Sequence, residues 1–340
     1  MKFRTEISIK ASSNKISHSS KNLLMGSCFA ESIGEKLEYF KLPVLVNPCG
    51  ILFNPVSIAN AFRFICNKTI FTEQDLIQHD GLWHSFFHHG SFSNANKQDC
   101  LSEINKNISN ANAWIKNAST IIITLGTAYV WEHRSSKTIV SNCHKIPSTE
   151  FNHFMLSVAD VERSLQSIID NIKTQNPEVI IIFTVSPIRY LNHGAHQSQL
   201  SKATLLLAVD TIQKSQILRE AQYDENFADC HPEHVEGLTN NLNIEYFPSY
   251  EIMMDDLRDY RFYAEDLVHP TSQAVDYIWE KFSDCYFSLE TIELNKKIDA
   301  YQKALHHKVQ NPESQSGQKF IEHINQLRNN LCKMHPFLNL

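Results

Sequence analysis

The stretches IIITL (121–125) and VIIIFTV (179–185) govern how the rest of the chain is read. Each is a short, unbroken apolar run rich in β-branched residues, the pattern of a parallel strand buried on both faces. Around them, apolar residues recur at spacings of three and four over 29–40, 56–66, 101–117, 158–175, 200–222 and 271–288, which predicts helices. Two shorter runs, Leu23–Gly26 and IEYF (244–247), add further strands. Strands alternating with helices predict an α/β domain whose mostly parallel sheet is covered by helices, with functional groups at the carboxyl ends of the strands.

With 340 residues, of which 42% are hydrophobic and 10% aromatic, the chain can close a full core without disulfides or a metal. No Pro-, Gly- or Ser-rich linker divides it, so one large domain (1–290) with a helical C-terminal extension (291–340) is expected. A net charge of −6 without a Lys/Arg cluster argues against a nucleic-acid or anionic-membrane partner. The N-terminal stretch MKFRTEISIKASSNKI lacks the apolar core of a signal peptide, no run is long enough to span a membrane, and the eight cysteines form no CxxC pair. A cytoplasmic protein with free thiols is the expectation. Residues 223–243 carry neither period and predict a surface loop, whose histidines are read as passengers rather than ligands.

The chemistry concentrates at two places. Leu23–Gly26 feeds Ser27, and the helix-like stretch AESIGEKLEYF follows, so Ser27 falls at a strand-to-helix turn where helix amides can help bind an oxyanion. A serine hydroxyl needs a base to take its proton and a third group to orient that base. The segment DLVHP supplies both, with Asp266 and His269 three residues apart just ahead of the helix near Thr271. Each alone has a plainer explanation: Ser27 as a helix cap, His269 and Asp266 as structural hydrogen-bonding groups. Together they predict a triad in which Ser27 Oγ and the His269 ring lie about 2.6–3.2 Å apart. Cys28 is the competing nucleophile, since a thiol at a helix N-terminus can be activated; consecutive residues on a turn point in different directions, so only one of the two can face the histidine.

The block MGSCFAESIG (25–34) resembles the signature of the GSCFA family, a distant relative of the SGNH (GDSL-type) hydrolases. The likeness extends through NPCGILFNP (47–55), WHSFFHHGSFS (83–93), TLGTAYVW (124–131), TVSPIRY (184–190), SKATLLLAVD (201–210) and YFPSYEIMMDDLRDYRFYAEDLVHP (246–270), covering roughly residues 1 to 290. It implies a flavodoxin-like three-layer α/β/α sandwich and, by analogy, a serine esterase or acyl hydrolase that needs no cofactor and acts on a small-molecule or glycan ester. An acyltransferase using the same site and a ligand-binding domain that has lost catalysis are the alternatives. Carried over by resemblance, Ser27 is the nucleophile, His269 the base and Asp266 its orienting acid. By the same resemblance the Ser27 and Gly50 amides contribute to the oxyanion hole, and Thr127 occupies the place of the asparagine that donates there in SGNH enzymes, with Asn54 as a substitute donor.

Other candidates are less specific. Trp83, His84, Ser85 and His89 combine aromatic walls with polar groups, as ligand pockets do; a metal reading of His79, His84, His88 and His89 is weaker, because the intervening aromatics and glycine favour strand or loop over helix. Arg189, after the VIIIFTV run, is placed to hold a substrate carboxylate or phosphate or to make a structural ion pair, and Lys202 to pair with an acidic loop residue. No GxxxxGK[ST] or GxGxxG motif occurs, so nucleotide and dinucleotide chemistry has no support.

Overall fold

The computed structural model describes residues 5–223, 243–338 and 340. Most of the loop expected at 223–243, with its histidines, lies outside the described residues. Five parallel strands form the central sheet: β1 (Asn22–Gly26), β2 (Val44–Val46), β5 (Thr120–Leu125), β9 (Ile180–Val185) and β10 (Ile244–Phe247). Their spatial order is β10-β9-β5-β1-β2. Counting only these strands, that is the flavodoxin-like order, in which β1 and β5 mark the place where the winding reverses.

Alternation along each strand divides the core into two. Leu23, Met25, Ile121, Ile123, Ile181 and Phe183 face α2 (Pro55–Cys66), α3 (Lys97–Ile115), α4 (Val158–Gln175) and α5 (Gly194–Tyr223). Leu24, Ile122 and Ile182 face the other way, toward α1 (Cys28–Tyr39) and α7 (Ser272–Tyr286). The sheet is thus covered on both faces, the three-layer α/β/α sandwich expected, and this explains why its strands read as continuous apolar runs. Burying each isoleucine contributes roughly 1.5–3 kcal/mol. Local signals start the helices: Asn54 caps α2 ahead of Pro55, Ser157 and Asp160 form a capping box on α4, and Thr271 caps α7.

The remaining elements decorate this frame. β3 (Ile77–His79) and β4 (Leu82–His84) make a hairpin around Asp80-Gly81, both with positive φ, and β6 (Tyr129–His133), β7 (Thr138–Val140) and β8 (Phe151–Met155) make a three-stranded antiparallel sheet. After β10 come the short α6 (Ser249–Glu251) and a π-helical turn at Ile252–Asp256. The N-terminal segment is strapped to the end of α7, with the Ile16 amide donating to Tyr286 O at 2.7 Å and Ser12 to Cys285 O at 3.1 Å. Residues beyond α7 form α8 (Leu289–His306) and α9 (Gln315–Met334), which share a small core with Phe40. No helix among the described residues is long and apolar enough to cross a membrane.

Candidate active site

Strand β1 ends at Gly26, whose φ of 142° places its Cα hard against the neighbouring strand; a Cβ there would sit 2.1 Å from Thr124 O. Only glycine fits. The Ser27 amide donates to Thr124 O at 3.1 Å, and its carbonyl accepts from Ala30 N at 2.8 Å, so the backbone turns at once into α1. The Ser27 side chain faces inward: it is 2% exposed, its Oγ has no hydrogen-bond partner, and it does not cap the helix. Cys28, the first residue of α1, is the residue that points to the histidine, with Sγ 3.8 Å from His269 Nε2. This corrects the expected Ser27–His269 contact. The turn sends its consecutive side chains different ways, and the thiol is the one that reaches the imidazole.

His269 is held by its own loop. The amides of Val268 and His269 each donate to Asp266 Oδ1 at 2.9 Å, and His269 Nδ1 lies 2.5 Å from Asp266 Oδ2. Leu267 takes a left-handed φ of 57°, which folds the carboxylate back over these donors. A Tyr263–Pro270 bridge and the Ala264 amide on His269 O, at 2.8 Å, close the loop at its base. The hydrogen bonds from the His269 amide and ring hold the Asp266 carboxyl down at about 2. It is therefore ionised at neutral pH and suited to accept a hydrogen bond from Nδ1–H, the tautomer that turns the Nε2 lone pair toward the thiol.

Burial raises the Cys28 thiol above its usual range, while the amides of Cys28 and Phe29 at the helix N-terminus act in the opposite sense. The thiol rests protonated, with two amide donors aimed at any anion that forms on it. Tyr190 closes the other side. Its ring stands edge-on to His269 with centroids 5.9 Å apart and packs on Phe53 at 6.1 Å, and it lies near enough to Cys28 for each group to perturb the other. Beneath the strand ends, Lys202 is 2% exposed and donates to Gly126 O at 2.8 Å and Ser186 O at 2.7 Å. No acidic residue among those described pairs with it, contrary to the expected ion pair. It ties the ends of β5 and β9 together.

The oxyanion donors inferred from resemblance are occupied. The Gly50 amide donates to Asn47 O at 2.7 Å, and the Thr127 amide to Phe53 O at 3.0 Å. The Thr127 hydroxyl lies 3.0 Å from Ser201 Oγ and accepts from Tyr129 N at 3.1 Å. Asn54 caps α2, with Oδ1 accepting from Ser57 N at 2.8 Å and Nδ2 donating to Ser57 Oγ at 3.0 Å. Gly50 is needed for fit rather than for a free amide: a Cβ on it would meet His89 Cβ at 2.3 Å.

The expected pocket wall is a packed loop. His84 uses both ring nitrogens, on Ser93 Oγ at 2.6 Å and His79 O at 3.0 Å, and stacks on His144 at 4.4 Å. Ser85 engages His88 Nδ1 at 3.0 Å, Lys97 sits 4.1 Å over the Trp83 ring, and His89 turns onto Ser91 Oγ at 3.1 Å. Burial pushes His88 down to about 3 and His144 to about 4, so these imidazoles are neutral framework groups. Among the described residues no group of three or more His, Cys, Asp or Glu is arranged to hold a metal. Arg189 borders a cleft that it shares with Met253, Tyr263 and Leu267. Tyr190 escaped the sequence reading; its place directly after the strand-end Arg189 was the available signal.

The site thus joins the carboxyl end of β1, at the point where the sheet's winding reverses, to a loop preceding α7. No curated protein matches the chain. The model of the GSCFA family matches residues 21–282, which include the Gly26–Cys28 turn, the Asp266–His269 loop and most of α7, and the chain belongs to that family.

Proposed function

We propose that the chain is an acyl-group hydrolase or transferase with Cys28 as nucleophile, His269 as general base and Asp266 as the group that orients the imidazole. The observation that carries this reading is the 3.8 Å approach of Cys28 Sγ to His269 Nε2, with Asp266 on the opposite ring nitrogen. Because burial favours the thiol form, the proton leaves Cys28 for Nε2 as sulfur attacks an acyl carbonyl. The carbonyl oxygen becomes an oxyanion beside the α1 amides. Collapse expels the alcohol or thiol leaving group, which takes the proton from His269, and a thioester remains on Cys28. Water, or an acceptor hydroxyl, then gives its proton to His269 and attacks the thioester carbonyl; the C–S bond breaks, the acid or new ester leaves, and the sulfur takes the proton back from His269, restoring the thiol. Small acyl esters, including acylated carbohydrates, are the substrate class carried over from the distant SGNH likeness.

The test is intact-mass analysis with peptide mapping after brief exposure to p-nitrophenyl acetate, comparing wild type with Cys28→Ala, Ser27→Ala and His269→Ala. One acetyl adduct on Cys28, kept in the Ser27 variant and lost in the His269 variant, is expected. An adduct that disappears with Ser27→Ala and persists in Cys28→Ala would return the nucleophile to serine. No adduct in folded wild type would remove catalysis and favour a ligand-binding domain.

A further inference from the structure

Residues flanking Tyr190 and His269 in sequence line a second feature. Arg189 and Leu191 bracket Tyr190, Leu267 and Val268 precede His269, and these four, with Met253 and Tyr263, wall a cleft of about 450 Å³. That volume suits a ligand of modest size. Its charges are unequal in kind: Arg258 is paired with Asp255, and Asp259 with Arg261. Arg189 has no carboxylate among the described residues. Its guanidinium reaches only Ala195 O, at 3.5 Å, and its Nε is buried without an acceptor. A buried N–H lacking an acceptor is uncommon in a native fold and calls for an explanation. The Tyr263 phenol lines the same cleft and feels the Arg189 charge.

We propose that this cleft binds the free carboxylate of an ester whose body is apolar, with Arg189 as the carboxylate anchor. The proposal rests on the Cys28–His269 reading and names its substrate class. A guanidinium fork matches a planar carboxylate through two parallel hydrogen bonds. One unpaired cation, in a cleft whose lining also holds Asp259, suits a single negative charge better than a phosphate dianion. Leu191, Met253, Leu267 and Val268 supply the apolar wall, and Tyr190, between two lining residues in sequence, stands edge-on to His269 and near Cys28, which brings the cleft close to the reacting pair.

Isothermal titration at pH 7.5 and low salt with 4-phenylbutyrate, 4-phenylbutyramide and the corresponding phosphonate tests this directly. Wild type should bind the carboxylate about tenfold or more tightly than the neutral amide. The difference should vanish in Arg189→Met, persist in Arg258→Met and be unchanged in Cys28→Ala. Equal binding of acid and amide to wild type would overturn the proposal without needing any variant. Tighter binding of the phosphonate would overturn the carboxylate class, and an unaltered preference in folded Arg189→Met would remove Arg189. Carboxylate binding without acetylation of Cys28 supports the cleft and sinks the catalytic reading; acetylation without carboxylate selectivity does the reverse.

Discussion

Replacing Lys202 by methionine should change how stability responds to pH, and the structure sets the size of the change. The amine is enclosed, pairs with no carboxylate among the described residues, and donates to two carbonyls, which is the full donor capacity of a neutral –NH2 group. Burial lowers its pKa from 10.5 to about 7. In the unfolded chain the amine keeps its ordinary pKa. Between those values the unfolded state binds the extra proton, so stability rises with pH; the penalty of enclosing a charge is full below about 7 and gone above about 10.5. For one group with these two pKa values, the gain from pH 7.0 to 8.5 is about 1.6 kcal/mol. Urea unfolding of wild type and Lys202→Met at both pH values isolates this term, because other titrating groups contribute to both proteins. Wild type should gain about 1.6 kcal/mol more than the variant, whatever the variant loses by leaving Gly126 O and Ser186 O unpaired. Parallel pH responses would show that Lys202 keeps its proton when folded and would refute the argument from burial and donor count.

Gly26→Ala should destabilise by about 3 kcal/mol or more, since its Cβ would meet Thr124 O at 2.1 Å and its φ of 142° is one that L-residues avoid. A urea-derived loss under about 1 kcal/mol would mean the turn adapts, contradicting the rigid placement of Cys28. Asp266→Asn should slow acetylation of Cys28 by about 10²–10⁴-fold, because an amide in place of Oδ2 favours the wrong imidazole tautomer. Its urea midpoint should stay near that of wild type, the loop being exposed; an unchanged acetylation rate would reduce Asp266 to a turn-capping group.

The sheet was legible where burial is two-sided. β5 and β9 are apolar on both faces, so composition alone marks them within a residue. β2 was not: three half-buried residues at the sheet edge carry no period, and only pairing with β1 makes them a strand. The β3–β4 hairpin did have a signal, Asp80-Gly81, a pair suited to two successive positive φ values. In the site, the Asp266–His269 contact is local and visible as a spacing of three. Which neighbour at the turn meets His269 was not visible, because it depends on side-chain direction across a separation of 241 residues. The histidine-rich loop misled for a similar reason. Composition shows polar groups available for a ligand, whereas folding brings partners such as His144, whose Nε2 lies 2.8 Å from Ser85 O, 59 residues away in sequence.

That separation also has a temporal side. During synthesis the thiol of Cys28 leaves the ribosome early, while its base is 241 residues behind. β1 cannot be flanked on both sides in the sheet until β5 arrives, and the strap at residues 12–16 waits for residues 285–287. A nascent chain therefore carries an ordinary, unassisted cysteine for most of its elongation. Under the proposed function, acquisition of reactivity coincides with closure of the fold, which gives a practical marker: Cys28 acetylation would report the arrival of its C-terminal loop, and truncated or stalled chains should be silent to it.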